Sequence, residues 1–210
     1  MDFGARLNLT IRKKAVWGSG VVLVGAVLLL LASSGCGDMT REGTGSAYLI
    51  LDALEAAPGA EPDKFGGILL SDVLTVVDDV PGVYNDIGQV TVRLAMKDPL
   101  LAPSSTNSIT INRYRVEYRR SDGQNRPGID VPFGFDGGLT LTIRGDAVTG
   151  SFEIVRHVAK QEAPLKALLI NGVIISTIAE VTFYGRDQEG REVSVMGRIS
   201  IDFGNFADPS

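Results

Sequence analysis

This chain contains few of the residue types on which catalysis most often depends, since it has one histidine, His157, and one cysteine, Cys36. A zinc site of the HExxH kind needs two histidines on one helical face, so that class of metalloenzyme is excluded. A Ser–His–Asp triad needs one histidine, but no G-x-S-x-G nucleophile motif occurs, and His157 ends a predicted strand at residues 152–157. We therefore expect a strand-end histidine without a catalytic role, in a protein that is not an enzyme.

Two groups of aspartates in predicted loops are candidate calcium ligands. Asp78, Asp79 and Asp86 share one loop, while Asp130 and Asp136 share another. Loop carboxylates and backbone carbonyls are the oxygen ligands that calcium prefers. Neither group has the D-x-[DN]-x-[DN]-G order of a calcium-binding loop, and aspartate is a common turn residue, so we favour solvated turn aspartates. The sequence accordingly predicts no metal and no other cofactor.

A group of arginines lies in residues 112–120 (NRYRVEYRR). In an extended strand, Arg113, Arg115 and Arg119 would form an outward stripe, while the tyrosines and valine between them face the core. Such a stripe could bind an anionic glycan, a lipid headgroup or an acidic protein partner. The alternative is that it pairs across strands with carboxylates such as Glu153 or Glu180.

The second candidate contact region is the predicted loop at residues 121–138 (SDGQNRPGIDVPFGFDGG). Loops of this length in compact domains are often functional. Phe133 and Phe135 within it could form an exposed patch for a partner. Alternatively, they could fold back as a lid over one end of the core.

The surroundings of Cys36 predict export. Arg12, Lys13 and Lys14 precede a twelve-residue apolar run at residues 21–32, and small residues follow directly up to the cysteine. A basic start, a short apolar segment and small residues form the pattern of a secretory signal peptide. The segment resembles the signal of bacterial lipoproteins, and the resemblance covers about the first 40 residues.

That resemblance implies that residues 1–35 are removed and that Cys36 becomes the acylated first residue of the mature chain. Residues 36–46 would then be a flexible tether. Gly37 rather than Asp follows the cysteine, which in this family favours the outer membrane, on its periplasmic or its surface face. The alternative is an uncleaved anchor at residues 15–32, which is just long enough to span a bilayer.

The composition of the remaining chain limits its partners. Without the signal, 16 basic and 24 acidic residues remain, so the net charge is −8. An acidic body of this kind is a poor nucleic-acid binder, and we expect no nucleic-acid partner. With Cys36 acylated no disulfide can form, so stability must come from the core of one domain at residues 47–210.

Apolar and polar residues alternate with a period of two through most of this domain, which is typical of β-strands with one buried face. Runs with this pattern lie at residues 90–96, 113–119, 139–143, 152–156, 179–184 and 193–203, with two further strands predicted near 47–54 and 68–77. A hairpin turn is predicted at residues 187–190, and residues 164–172 fit either a short helix or a bent strand. The pattern predicts a single, mainly β, antiparallel β-sandwich, immunoglobulin-like or fibronectin-like, with a jelly roll as runner-up.

Together these features predict a membrane-anchored envelope lipoprotein whose β-sandwich has a structural or protein-interaction role. Its expected partners are the membrane, through the lipid on Cys36, and an envelope protein that contacts the arginine stripe or the two phenylalanines. A glycan- or calcium-binding module is the alternative, and a hydrolase is a third. The signal holds the sole tryptophan, Trp17, so the mature domain would need tyrosines to stack on a sugar.

Overall fold

The computed structural model describes residues 45–206, and Cys36 and the segments predicted as signal and most of the tether lie outside them. Ten β-strands form among the described residues: β1 Ala47–Ala57, β2 Ile68–Asp72, β3 Thr75–Val77, β4 Val80–Gly82, β5 Asp86–Met96, β6 Ile109–Arg119, β7 Phe135–Ile143, β8 Val148–Val155, β9 Ile175–Asp187 and β10 Glu192–Gly204. Short helices at His157–Lys160 and Leu168–Asn171, and 3-10 turns at Ser105–Asn107 and Leu165–Ala167, complete the described elements. The prediction of a mainly β domain is confirmed.

Two larger sheets make up the body. One has three antiparallel strands in the order β1-β5-β8, and the other has five strands in the order β2-β10-β9-β6-β7, while β3 and β4 form a separate ribbon. The expectation of a wholly antiparallel fold is wrong at one point, because β2 runs parallel to β10. Alternation of apolar side chains shows which face of a strand is buried but carries no information on strand direction.

The core lies between the two sheets and is filled by the alternating side chains that the sequence predicts. Tyr114 and Phe183 on the larger sheet meet Phe152 on the smaller one, with ring centroids 4.9 and 5.2 Å from Phe152. Both contacts are edge-to-face, the geometry that aromatic quadrupoles favour. Nearby, the Tyr118 hydroxyl donates a 2.7 Å hydrogen bond to the Ile154 carbonyl, which allows this polar group to be buried.

The strand predicted at residues 68–77 is divided into β2 and β3, which corrects the sequence interpretation. Asp72 Oδ1 accepts a hydrogen bond from the Leu74 backbone N–H at 3.2 Å. Such a local side-chain bond competes with the strand ladder and turns the chain. The break occurs immediately before Thr75, where β3 begins.

The segment at residues 164–172 is helical, as one of its two interpretations predicted. The 3-10 turn Leu165–Ala167 leads into the helix Leu168–Asn171, and Gly172 follows in the left-handed region with φ 60°. Glycine tolerates this conformation and commonly ends helices. Leu165 and Leu168, three positions apart, are buried and attach the segment to the core.

Strand directions divide the body into two ends. The entry pole contains the start of β1 and the connections at residues 97–108, 144–147 and 188–191. The far pole contains the connections at residues 120–134 and 156–174, together with the start of β5. The predicted loop that contains Phe133 therefore lies at the far pole, opposite the point where the chain enters the domain.

Candidate functional site

The long loop of the far pole is shorter than predicted, because β7 begins at Phe135 and the loop ends at Gly134. Arg126 organises it by donating to the Asp130 carboxylate from its backbone N, Nε and Nη2, at 3.0, 2.7 and 3.0 Å. This guanidinium lowers the pKa of Asp130. Val131 is buried directly after Asp130, so the loop has a fixed shape and its own attachment to the core.

Phe133 lies on the outside of this loop. Its side chain is 59% exposed, so it does not form a lid over the core. Its ring lies over Gly128, where an added Cβ would come within 2.5 Å of the ring and where φ is +75°. Only glycine satisfies both the left-handed backbone and the close approach, so Gly128 supports Phe133 from beneath.

Phe135, two residues on, has a different environment. It is partly buried, and its ring packs edge-on against Tyr114 at 6.2 Å. The Arg156 guanidinium lies 3.9 Å from the centre of the same ring, a distance typical of a cation–π contact. The two phenylalanines named by the sequence are therefore not one patch, since one is exposed and the other supports an arginine.

Arg156 is held on this ring, and within the described chain one of its nitrogens is buried without a hydrogen-bond partner. Its Nη2 donates to the Asp136 carbonyl at 2.7 Å, and its Nε lies 3.8 Å from Glu153 Oε2. Within residues 45–206, Nε is buried and has no hydrogen-bond partner. A buried donor without a hydrogen-bond partner costs free energy, and here that cost is offset only by the longer ionic contact with Glu153.

A pocket of about 260 Å³ lies between Phe133 and the short helix His157–Lys160. Its lining consists of Pro132, Phe133, Gly134, Phe135, Arg156, Val158, Ala159, Glu162 and Ala163. The walls are mostly apolar, with one arginine and one glutamate. The volume is below the range of about 300–1,000 Å³ that is usual for small-molecule sites, and it suits a single large side chain.

The helix that forms one wall is fixed from below by a buried ion pair. Lys160 Nζ donates to Asp86 Oδ1 at 2.8 Å, and the two side chains are 2% and 1% exposed. Ser71 Oγ and the Gly59 backbone N–H donate to the same carboxylate at 2.6 and 3.0 Å. Burial raises the pKa of Asp86, while Lys160 opposes that rise. Because Val158 and Ala159 directly precede Lys160, this pair positions their side of the pocket.

Sequence reasoning missed this pair and assigned Asp86 to a loop with Asp78 and Asp79. The one available signal was its position in the alternation of β5. Asp86 precedes Val90 by four positions, an even number, so both side chains lie on the buried face of the strand. Nothing in the sequence connects it to Lys160, 74 residues away. Asp78 and Asp79 lie in the β3–β4 turn with φ 51° and 62°.

The aspartates considered as candidate calcium ligands do not converge on one site. Asp136 pairs with Arg115 at 2.8 Å, and Asp130 pairs with Arg126. In the part of the chain that the structure describes, no group of three or more histidine, cysteine, aspartate or glutamate side chains is placed to hold a metal ion.

His157 is exposed at the start of its helix and contacts Asn85. The Asn85 Oδ1 accepts the His157 backbone N–H at 2.6 Å and lies 2.9 Å from Nδ1. An amide oxygen can only accept, so this contact assigns the proton to Nδ1. Asn85 also donates to Glu153 at 2.9 Å. The hydrogen bonds of His157 within the described chain involve neither a serine nor an aspartate.

The arginine stripe does lie on the outer face of the larger sheet, and carboxylates neutralise it. Arg115 bonds Glu117 and Asp136 at 2.9 and 2.8 Å, and Arg119 bonds Glu180 at 2.8 Å. Of the two suggested partners Glu180 is correct, with its pKa lowered by Arg119, whereas Glu153 is wrong because it lies on the other sheet.

Arg113 lies at the edge of the stripe. Its guanidinium is 4.3 Å from the centre of the Tyr184 ring, in a polar groove of about 480 Å³. The arginine therefore occupies one face of a ring on which a sugar could stack.

Comparison with known proteins places the chain in no established group. No protein-family model matches it, and no curated protein is significantly similar to it. In residues 45–206, no helix has the length and apolar character needed to cross a bilayer.

Proposed function

We propose that this protein is an envelope lipoprotein, anchored in the outer membrane through acylated Cys36, whose domain binds another protein at its far pole. The observation that carries the proposal is the exposed Phe133 beside an apolar pocket at the end opposite the chain entry. With the entry pole tethered to a bilayer, the far pole is the end that a partner can reach.

The far pole has the features of a small protein-binding site. Exposed aromatic side chains beside preformed pockets are the usual centres of binding energy at protein interfaces. Gly128 and the Arg126–Asp130 pair hold Phe133 in place before a partner arrives, which reduces the entropy lost on binding.

The chemistry of the pocket suggests its occupant. Its apolar walls suit one large apolar side chain from a peptide segment of the partner. The positive charge of Arg156, which lines the pocket, suits a carbonyl or carboxylate oxygen next to that side chain. The arginine stripe is assigned no part in binding, because its charges are paired within the domain.

The immunoglobulin-like or fibronectin-like arrangement, with the jelly roll as runner-up, belongs to the same proposal. Two packed sheets of mostly antiparallel strands support it. The division into three and five strands, and the parallel β2, depart from the four-plus-three antiparallel pattern of immunoglobulin constant domains.

The test of binding places a photo-crosslinking amino acid at position 129 in otherwise wild-type protein and in Phe133→Ala, expressed in the native envelope. We expect a discrete crosslinked partner with the wild type and loss of about tenfold or more with Phe133→Ala, as for a central anchor. The matched control is Ile170→Ala with the crosslinker again at position 129, since Ile170 is 92% exposed at the same pole but does not line the pocket.

Equal crosslinking by the wild type and Phe133→Ala would overturn the assignment of the binding site. The anchor is tested separately by intact mass. An acylated chain that begins at Cys36 supports the lipoprotein assignment, and a species that retains Met1 contradicts it.

A further inference from the structure

The entry pole carries an exposed apolar segment that the proposed far-pole site does not use. Residues 99–103 read PLLAP, and the side chains of Leu100 and Leu101 are 91% and 55% exposed. All five residues of the segment are exposed, and none carries a charge. Isolated exposed leucines are ordinary, but a run of this kind at a loop tip usually contacts something.

The loop presents these leucines outward through a defined turn. The Asp98 carboxylate accepts the Leu100 backbone N–H at 2.9 Å, and the Asp98 carbonyl accepts that of Leu101 at 3.1 Å. Pro103 packs close to Gly145 of the neighbouring connection, where an added Cβ would be 3.2 Å away. The leucines therefore project from a structured tip that is supported on both sides.

The tip lies beside the point where the chain enters the domain. The Lys97 backbone N–H donates to the Ser46 carbonyl at 2.9 Å, and Ser46 Oγ donates to Asn107 at 3.3 Å. Ser46, in the entering chain, is thus hydrogen-bonded to both ends of the loop, at Lys97 and at Asn107. Gly45 lies nine positions after Cys36, and a flexible chain of that length has a reach of roughly 15–18 Å.

We propose that Leu100 and Leu101 insert into the bilayer surface and hold the domain in one orientation, an inference that rests on the proposed acylation of Cys36. The acyl chains would keep the tip within a short tether length of the membrane, so the leucines would meet lipid at a high effective concentration. Apolar side chains that reach the acyl boundary add to lipid anchoring, as a second membrane signal does.

Lipid is favoured over a protein as the occupant of this tip. The segment offers apolar side chains without a pocket, and a fluid bilayer needs no matching shape. The net charge of −8 on the mature chain would repel an anionic surface, so insertion depends on the uncharged tip. With the tip inserted, the domain stands with its Phe133 pocket directed away from the membrane.

The test measures the depth of the tip directly. Acylated full-length protein carries one environment-sensitive dye, attached through Ala102→Cys at the entry pole or through Ser121→Cys at the far pole, both exposed positions. Because Cys36 is the only cysteine of the chain and is acylated, each introduced cysteine provides the only free thiol for attaching the dye. The proteins are reconstituted in vesicles of phosphatidylethanolamine with a minor fraction of phosphatidylglycerol, with quenchers on the acyl chains.

We expect quenching at position 102 to exceed that at position 121 by about twofold or more, with a blue-shifted emission. Adding Leu100→Ser and Leu101→Ser to the Ala102→Cys protein should abolish the difference while the acylated protein stays on the vesicles. Equal quenching at the two positions would overturn the inference, including the case in which a protein or a second copy covers the tip. Quenching that survives both serine substitutions would also overturn it, since the leucines would then not be inserted.

Intact mass distinguishes failure of the lipoprotein proposal from failure of the tip to insert. If the purified chain is not acylated at Cys36 by intact mass, the lipoprotein proposal and this inference both fail. If it is acylated and remains on the vesicles while position 102 stays unquenched, the lipoprotein proposal stands and only the insertion of the tip is wrong.

Discussion

The two poles of this domain present apolar side chains in different ways. At the entry pole, Leu100 and Leu101 project from a loop held by backbone hydrogen bonds and the carboxylate of Asp98. At the far pole, Phe133 stands beside a pocket whose walls are positioned by ionic contacts, Arg126 with Asp130 and Lys160 with Asp86. A pocket requires walls at fixed positions, whereas insertion into a fluid surface requires only exposed apolar side chains. This difference agrees with the roles proposed above, binding of a protein partner at the far pole and contact with the membrane at the entry pole.

Breaking the buried ion pair should have the largest effect on the far pole. Lys160→Met leaves the Asp86 carboxylate buried without its counter-charge, and we expect the free energy of unfolding to fall by about 3–5 kcal/mol. Burial raises the pKa of Asp86 in the folded state, and Lys160→Met removes the charge that opposes this rise. At acid pH the Asp86 carboxyl becomes protonated and no longer needs a counter-charge, so the loss of stability should be smaller there. Urea unfolding at neutral and acid pH measures both effects.

Two controls accompany that measurement. Lys166→Met, at an exposed position of the same segment, should change stability by no more than about 0.5 kcal/mol. The double variant Asp86→Leu with Lys160→Met should recover only part of the loss, because the uncompensated buried charge is removed but the Ser71 hydroxyl and the Gly59 N–H lose their acceptor. A Lys160→Met protein as stable as the wild type would show that the pair does not hold the helix.

Moving Phe133 should have an intermediate effect. Gly128→Ala places a Cβ against the Phe133 ring at a position with φ +75°, so we expect a loss of about 1–2 kcal/mol in stability together with loss of crosslinking to the partner. Gly123→Ala is the matched control, with φ +80° and open space around its Cβ. It should show a similar backbone cost and retain the partner. If both variants retain the partner, the position of Phe133 does not decide binding.

Ion pairs of the arginine stripe should make a small, pH-dependent contribution to the free energy of unfolding. Arg119 and Arg198 lower the pKa of Glu180, so the contribution of Glu180 to stability is present above its unfolded pKa and is lost as pH falls through the folded one. Glu180→Gln should cost less than about 1 kcal/mol at neutral pH, because all three side chains are partly exposed. Urea midpoints of the two proteins should converge at acid pH. A constant difference at all pH values would mean that the charge of Glu180 is not responsible.

The entry pole should show the smallest effect on stability. Leu100→Ser combined with Leu101→Ser changes side chains that are mostly in water, so the free energy of unfolding in detergent should stay within about 0.5 kcal/mol of the wild type. A clear loss would show that the tip packs against the domain, and the contrast between the two poles would then disappear.

Part of the candidate site could be predicted from the sequence. Phe133 was identified because a long loop with aromatic residues is a frequent contact region. Arg156, Val158 and Ala159 could not be assigned to the pocket, because they lie more than 20 residues away in the chain. The arginine stripe was placed on the correct face, but its neutralisation depended on Asp136 and Glu180 of neighbouring strands.

By itself, the sequence determined most of the longer strands and which face of each is buried, but not the division between β2 and β3 or the short β4. It also determined where the β9–β10 hairpin turns, and that residues 165–171 lie between a proline and a glycine suited to a short helix. These features depend on neighbours a few positions apart, whose side-chain period and turn chemistry act locally. Tertiary structure alone decided the parallel β2, the Asp86–Lys160 pair and the pocket beside Phe133. Each of these joins residues far apart in the chain, and such contacts are chosen by which packing of the strands buries the apolar faces and satisfies the polar groups together.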